Sequence, residues 1–136
     1  MTQVQANEDS RAKDQARAQL DSIMEMIEEL NKAIDADDDD AREKAEQAIQ
    51  EDPLSVEVRS EWHVPGTKVS GGEYKILLCW GGPAVRIIGG LNDYNEPESA
   101  HIEYQDWFTG WTEYMATDEE EEALLAYAQC FYYEEA

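Results

Sequence analysis

The apolar residues of this 136-residue chain change their spacing close to Pro53, and that change limits the folds open to the chain. Before Pro53 they recur every three or four residues, the period of one face of an α-helix. After it they alternate with polar residues, the period of a half-buried β-strand. Near the end of the chain the helical period returns. This order predicts an α+β domain in which helices pack on a sheet.

The first helical pattern covers residues 10–34 and contains neither Pro nor Gly. Its apolar stripe consists of Ala16, Leu20, Ile23, Ile27, Leu30 and Ile34. Such a stripe suits packing within the chain, and it also suits the seam of a homodimer, so both arrangements stay open. Residues 1–9 are mostly polar, and we predict that they form a flexible N-terminus.

A second, shorter helix is predicted at about residues 40–51, with Asp40 as its N-cap and Glu43 three residues further on. Pro53 ends it, so residues 10–52 are expected to form a helical hairpin. The acidic stretch between the helices fits an EF-hand loop at four positions, namely Asp35, Asp37, Asp39 and Glu46. Asp40 occupies the position where that loop needs Gly. The stretch therefore predicts a solvated acidic turn, and we predict no metal site and no cofactor.

Residues 53–116 predict a four-stranded antiparallel sheet, because Gly- and Pro-containing turns separate short apolar runs. The predicted strands are residues 54–62, 74–80, 84–88 and 100–108, with an acidic loop at residues 91–99. Residues 117–136 predict a C-terminal helix, at about 118–133, that Thr117 caps. Its predicted buried face consists of Leu124, Tyr127, Ala128 and Phe131. The whole is a single domain, residues 10–136, in the order ααββββα.

The chain has 32 Asp and Glu against 10 Lys and Arg, a formal net charge of −22. The hydrophobic fraction of 42% is enough to bury a core, unlike that of acidic disordered chains. No Lys or Arg follows Arg86, while 13 carboxylates do. Such a chain is not expected to bind nucleic acid or an anionic membrane, since phosphates are neutralised by cations. A soluble domain needs a net charge of only about 2–8, so the excess predicts a surface that binds a basic partner.

Catalytic motifs are missing from the sequence, which has only two histidines, His63 and His101, and no accompanying Ser or Cys motif. We therefore predict that the protein is not an enzyme. Cys79 and Cys130 are expected to be free thiols, with a single disulfide as the alternative. No apolar run reaches the ~18 residues of a membrane helix, and the N-terminus lacks the apolar core of a secretory signal. We expect a soluble protein of the cytoplasm, the host cytoplasm if a phage encodes it.

The chain resembles the small acidic DNA-mimic inhibitors of phages and mobile elements, which include anti-CRISPR and anti-restriction proteins. Its size, its pI of about 4.1, the stretch without cations after Arg86 and the acidic runs at residues 37–40 and 119–122 carry this resemblance. The resemblance is to a class of proteins rather than to a single family. It implies an inhibitor that occupies the nucleic-acid-binding groove of a host defence complex or nuclease, with carboxylates in place of phosphates.

The carboxylates predicted to bind the partner lie in the interhelical turn, the acidic loop, the last strands and the start of the last helix. They are Asp37, Asp38, Asp39, Asp40, Asp93, Glu96, Glu98, Glu103, Asp106, Glu113, Asp118, Glu119, Glu120, Glu121 and Glu122. Alternate strand residues lie about 6.6–6.8 Å apart and helix positions i and i+4 about 5–6 Å apart, comparable with the roughly 7 Å between successive phosphates of a DNA strand. The sets expected to have this spacing are Glu96 with Glu98, Glu57 with Glu61, and Asp118 with Glu119 and Glu122.

Aromatic side chains near these acids, namely Tyr94, Trp107 and Tyr114, are expected to supply apolar anchors to the same interface. Two other functions fit the charge and size of the chain. One is an immunity protein or antitoxin that masks a basic nuclease toxin. The other is an acidic structural or assembly protein that forms a dimer through the helix at residues 10–34.

Overall fold

The computed structural model describes residues 2–60, 62–67, 71–106 and 110–133, with side chains from residue 11 onward. Its elements are α1 (Thr2–Asp35), α2 (Asp39–Glu51), β1 (Ser55–Arg59), β2 (Gly72–Cys79), β3 (Ala84–Leu91), β4 (His101–Gln105), β5 (Thr112–Glu113) and α3 (Asp118–Ala128). The strands form one antiparallel sheet in chain order, β1-β2-β3-β4-β5. The predicted α+β class and antiparallel meander are confirmed.

The described sheet has five strands where the sequence predicted four. The additional strand is β5, in which Glu113 pairs with Glu103 and Thr112 with Tyr104. From the sequence, residues 110–115 were expected to form a short extension after the fourth strand and not a strand of their own, because two residues are too few to show a periodicity. Only the presence of β4 alongside makes the segment a strand.

Helix α1 begins at Thr2, eight residues earlier than predicted. Residues 2–9, predicted to be a flexible N-terminus, continue the helix, since neither Pro nor Gly interrupts the first 35 residues. The apolar stripe from Ala16 to Leu30 is buried, but Ile34 is 46% exposed and Ala33 is buried in its place. The sequence left open whether the stripe packs within the chain or forms the seam of a homodimer. In the structure it packs into the chain's own core. A homodimer through the helix at residues 10–34 would need the same stripe.

The N-cap of α2 is Asp38, two residues before the predicted Asp40. The Asp38 carboxylate accepts a hydrogen bond of 3.1 Å from the backbone N–H of Ala41. Asp37 adopts a φ of 54°, in the left-handed region that Asp tolerates better than most residues, and this turns the chain between the helices. Because α2 starts inside the acidic stretch, the open EF-hand loop does not form. In the described part of the chain, no group of three or more His, Cys, Asp or Glu residues is placed to hold a metal ion.

The core lies between the helices and one face of the sheet. Ile76, Ile87 and Ile102 face one another across β2, β3 and β4, and all three are fully buried. They belong to one apolar cluster with residues of α1 and α3, among them Leu20 and Leu124. The opposite face of the sheet carries charged side chains, including Glu73, Lys75, Arg86 and Glu103, and is called the charged sheet face below.

Strand β3 continues through Gly89 and Gly90, where the sequence predicted its end. A Cβ atom on Gly89 would overlap the carbonyl oxygen of Ser99 and lie 2.7 Å from the hydroxyl oxygen of Tyr74. The Tyr74 hydroxyl donates a hydrogen bond of 2.5 Å to that same carbonyl, and the Gly90 N–H donates one of 2.9 Å to Ser99 Oγ. The glycines therefore allow a close approach between β3 and the segment before β4, and they do not break the strand.

Helix α3 ends at Ala128, earlier than the predicted residue 133. Its predicted cap Thr117 is confirmed, as are Leu124, Tyr127 and Ala128 of its buried face, while Phe131 is half-buried. Tyr133 folds back, and its hydroxyl donates a hydrogen bond of 2.6 Å to the carbonyl oxygen of Ala128.

The remaining strand bounds also differ from the predictions. Strand β1 stops at Arg59 instead of residue 62, and β4 stops at Gln105. Phe108, at the end of the predicted fourth strand, lies outside the described residues. No helix in the described part of the chain has the length and apolar character needed to cross a membrane.

Candidate partner-binding surface

The start of α3 is built to hold acidic residues. Thr117 and Glu120 form a capping box, in which Thr117 Oγ1 accepts a hydrogen bond of 3.2 Å from the Glu120 N–H. In return, Glu120 Oε1 accepts one of 2.9 Å from the Thr117 N–H. The first turn of a helix favours negative charge, because its free N–H groups carry partial positive charge. This turn contains Asp118, Glu119, Glu120 and Glu121, so the local structure tolerates the run.

Glu120 is part of the fold rather than of the exposed surface. It is only 8% exposed, and its Oε2 atom lies 2.5 Å from Nη1 of Arg17 on α1. The hydrogen bond from the Thr117 backbone, together with the Arg17 guanidinium, lowers the pKa of this carboxyl below its ordinary value. Glu120 therefore joins α3 to α1, whereas the sequence placed it among the partner-binding residues.

Four carboxylates of α3 are exposed, and a fifth comes from β5. Glu113 and Glu121 line a shallow depression together with His101, and Glu113 Oε1 lies 3.0 Å from His101 Nδ1. We name the five residues together the α3 acidic face: Glu113, Asp118, Glu119, Glu121 and Glu122. The predicted set of Asp118, Glu119 and Glu122 thus lies on one exposed helix end.

The loop at residues 91–99 presents Asp93, Glu96 and Glu98, all exposed. Asn92 fixes its shape, because Asn92 Oδ1 accepts hydrogen bonds of 2.9 Å from the N–H of Tyr94 and 3.0 Å from that of Glu96. At the far end of α3, Gln129 Nε2 donates a hydrogen bond of 3.3 Å to the carbonyl oxygen of Pro97. The loop and the acidic run at residues 118–122 therefore lie at opposite ends of α3.

Two predicted partner-binding residues, Glu103 and Asp106, are engaged inside the fold. Glu103 Oε1 lies 2.8 Å from Nη2 of Arg86, and the Arg86 guanidinium lies 4.0 Å from the centre of the Trp111 ring. Asp106 is buried and interacts with other groups of the chain. The sequence pattern alone did not distinguish these two carboxylates from the exposed ones.

The four aspartates of the interhelical turn, Asp37, Asp38, Asp39 and Asp40, are all exposed. Asp38 also caps α2, so its carboxylate has a structural task as well. The turn lies on the helical hairpin, on elements other than those that carry the α3 acidic face.

Most Lys and Arg side chains of the described residues pair with carboxylates that do not belong to these exposed sets. The paired cations are Arg17, Lys32, Arg42, Arg59, Lys75 and Arg86. Among the described residues, no Lys or Arg lies within 4.0 Å of a carboxylate of the α3 acidic face, or of Asp93, Glu96 or Glu98. Apart from Glu113, which contacts His101, these carboxylates are open to a cation from outside the chain.

The charged sheet face has a different character. Glu57 is within 3.6 Å of Lys75, and Arg59 pairs with Glu73 across β1 and β2. This face bounds a groove of about 540 Å³ in which acids and bases alternate. The predicted phosphate-like pair of Glu57 and Glu61 is not available as such, because Glu57 is partly neutralised and Glu61 lies outside the described residues.

Apolar groups next to the acidic residues differ from those that the sequence predicted. Tyr94 is exposed as expected, Tyr114 is half-buried, and Trp107 lies outside the described residues. Met115 was not among the apolar anchors predicted from the sequence. It is strongly exposed and lines the same depression as Glu113 and Glu121. Its position two residues after Glu113 in an extended segment is the signal that could have identified it.

The thiols show no arrangement for nucleophilic catalysis. Cys79 and Cys130 are free and half-buried, and burial raises the pKa of both. Cys79 of β2 pairs with Val85 of β3, and Val85 pairs with Tyr104 of β4. His101 of β4 pairs with Ile88, three residues further along β3. A Cys79–His101 dyad is therefore not assembled.

Comparisons with protein-family models, with curated proteins and with solved structures give no match to this chain.

Proposed function

We propose that the protein is an acidic inhibitor that occupies the nucleic-acid-binding groove of a host defence complex or nuclease, as anti-CRISPR or anti-restriction proteins of the DNA-mimic class do. The observation that carries this proposal is the set of exposed carboxylates on the α3 acidic face and in the loop at residues 91–99, which have no Lys or Arg partner among the described residues. Most Lys and Arg side chains of the described residues pair with carboxylates outside these sets, so an external cluster of Lys and Arg would meet little competition.

Inhibition would follow from competition for the partner's phosphate-binding cations. Glu119 and Glu122 lie three residues apart on α3, and Glu96 and Glu98 flank Pro97, so each pair has a spacing of the order found between phosphates. A net charge of −22 would attract a basic groove over a distance and accelerate association. The exposed side chains of Met115 and Tyr94, beside the acids, would add the apolar contact that stabilises a complex.

The test compares two triple variants with the same loss of charge. The first replaces Glu119, Glu121 and Glu122 of α3 by Gln, and leaves the structural Glu120 intact. The second replaces Glu25, Glu28 and Glu29 by Gln, which are exposed on α1 and outside the proposed surface. The parent protein is used to capture its target from a host lysate at low salt, and the purified target then binds labelled DNA in the presence of each variant.

We expect the parent and the α1 variant to displace the DNA equally well. The α3 variant should compete at least tenfold less well, a loss of about 1.4 kcal/mol in binding. Competition should also weaken as salt is added, since exposed charges are screened. Equal competition by both variants would reject the α3 acidic face. A captured target that binds DNA unchanged in an excess of the parent protein would reject the proposed function itself.

A further inference from the structure

Among the residues that the structure describes, strand β1 lies at an outer edge of the sheet and pairs with β2 alone. The free side of an edge strand presents backbone N–H and C=O groups that can pair with a strand of another molecule. A charged residue pointing inward or a Pro in the strand would discourage such pairing. Strand β1 has the sequence Ser-Val-Glu-Val-Arg, with Val58 near its end and no Pro.

Exposed apolar residues accompany this free edge. Val58 is 46% exposed, Leu54 is 62% exposed, and Trp62 is fully exposed. Val58 lies within β1, and Leu54 directly precedes the strand. Val58 pairs with Tyr74 of β2, whose side chain lies in the core. The side chain of Val58 is therefore on the sheet face that the helices cover, but at the exposed edge of that face.

The other face of β1 carries Glu57 and Arg59, which have opposite charges on either side of Val58. In a two-fold antiparallel pairing centred on Val58, Glu57 of each copy lies opposite Arg59 of the other copy. The symmetry therefore produces two such charge pairs. The same pairing places the exposed Val58 of one copy opposite Val58 of the other. A centre on Glu57 or Arg59 would instead place like charges opposite each other, which is unfavourable.

We propose that two copies of this chain associate through β1 in this way and join their sheets into one of ten strands. The free backbone groups favour pairing, and the exposed Val58 and the self-complementary charges select this register. Glu57 and Arg59 keep Lys75 and Glu73 as their neighbours on the side of β2. Each copy has a net charge of −22, so the copies repel each other at low salt. Added salt screens that repulsion and should strengthen the dimer, whereas it should weaken the complex of the proposed inhibitor with a basic target.

The experiment is sedimentation velocity of the full chain over a range of concentrations, at low and at high sodium chloride. We expect the parent to shift from 15.5 kDa towards twice that mass, at lower concentration when salt is high. Val58→Lys should stay monomeric, because lysine on an edge strand opposes pairing. Ile34→Lys is the matched control, since Ile34 is also 46% exposed but lies on α1, and it should associate like the parent.

Charge swaps test the register without changing the apolar contacts. Glu57→Arg alone and Arg59→Glu alone should each be monomeric, because each places like charges opposite each other in a dimer. Mixed together, the two variants should form a heterodimer with both charge pairs restored. Circular dichroism checks that each variant keeps its fold.

Three results would overturn the proposal. The first is a parent protein that remains monomeric at every concentration and salt, which would leave the edge to a different chain. The second is a Val58→Lys variant that associates like the parent, and the third is a mixture of the charge variants without a heterodimer. None of these measurements involves the target of the proposed inhibitor, so this inference and the proposed function can fail separately.

Discussion

Residues 119–122 are all Glu, but Glu120 contacts the rest of the protein while its neighbours are exposed. The Glu120 carboxylate closes the capping box and meets Arg17 of α1, while Glu119, Glu121 and Glu122 point to solvent. A helix repeats every 3.6 residues, so one residue in such a run faces the protein. At the scale of single residues, the acidic run is therefore both a surface and a connection between α1 and α3.

Glu120→Gln should lower the free energy of unfolding, because Gln keeps the capping contact and loses the charge that Arg17 meets. We expect a loss of about 1–2 kcal/mol at neutral pH, as for hydrogen bonds to charged groups. The melting temperature should fall by roughly 3–8 °C. Glu119→Gln, at an exposed position of the same turn, is the control and should change it far less. Equal melting of the two variants would show that the Arg17–Glu120 pair contributes nothing.

The same pair predicts a pH dependence. Folding lowers the pKa of Glu120 below its ordinary value of 4.5, so the unfolded chain binds more protons between the two pKa values. This contribution to stability is present above about pH 4.5 and is lost as the pH falls through the folded pKa. The difference in melting temperature between the parent and Glu120→Gln should therefore be constant near neutral pH and shrink in acid. A difference that stays the same down to acidic pH would contradict this.

At the scale of elements, contacts between distant segments determine where helices and strands end. Strand β3 passes its two glycines because Ser99 and Tyr74 pack against the bare backbone of Gly89. Strand β5 exists because β4 lies beside it. Helix α1 buries Ala33 rather than Ile34. The carbonyl oxygens of both residues accept hydrogen bonds from the turn into α2, which fixes the orientation of this end of the helix.

Gly89→Ala should destabilise the protein by about 2 kcal/mol or more, because its Cβ would overlap backbone atoms that cannot easily move. Gly110 is the matched control, since nothing lies within 4 Å of a Cβ built there. Gly110→Ala should be neutral or slightly stabilising. Chemical denaturation of both variants measures the difference, and a Gly89→Ala protein as stable as the parent would refute the close approach.

Leu20→Ala or Ile27→Ala should lower the free energy of unfolding by roughly 2–5 kcal/mol, as large-to-small substitutions in a core do. Both residues are buried in the stripe of α1. Ile34→Ala removes an exposed side chain from the same helix and should change stability far less. Sedimentation of the variants separates the two uses of the stripe. A variant that loses a dimer and keeps its folded stability would show a seam instead of a core.

For the molecule as a whole, the sign of the charge matters more than any single pair. A net charge of −22 on 136 residues repels itself in the compact state. The ion pairs of the charged sheet face and of α1 offset part of this repulsion. In the described part of the chain, the carboxylates of the α3 acidic face and of the loop at residues 91–99 have no Lys or Arg within 4.0 Å. The chain thus keeps concentrated charge where a solubility requirement alone would not place it.

Sodium chloride should therefore stabilise the folded protein. The Debye length falls from about 10 Å at 0.1 M to about 3 Å at 1 M, and repulsion among the exposed carboxylates falls with it. We expect the melting temperature to rise by several degrees over this range, measured in chloride to avoid the stabilising effect of sulfate. A melting temperature that stays level or falls would mean that self-repulsion does not limit the stability of this fold.

Local patterns in the sequence determined the fold class and much of the layout. The change of apolar period at Pro53 separates helices from strands, and the short turns that follow select a meander. Thr117 marks the start of α3, because a capping side chain contacts backbone groups only a few residues away. The exposed carboxylates of the loop at residues 91–99 and of α3 were also within reach of the sequence, since turns and helix starts are normally solvated.

Tertiary structure alone decided the role of individual carboxylates and the ends of several elements. Glu103 meets Arg86 from a neighbouring strand, and Glu120 meets Arg17 from a helix about a hundred residues earlier in the chain. The free edge at β1, with Val58 beside it, likewise depends on the order of strands in the sheet. The period of apolar residues shows which side chains of one segment share a face. Whether that face is buried, and which charges on it are paired, depends on the segment that packs against it. The charge of a residue is written in the sequence, but its neutralisation is a property of the fold.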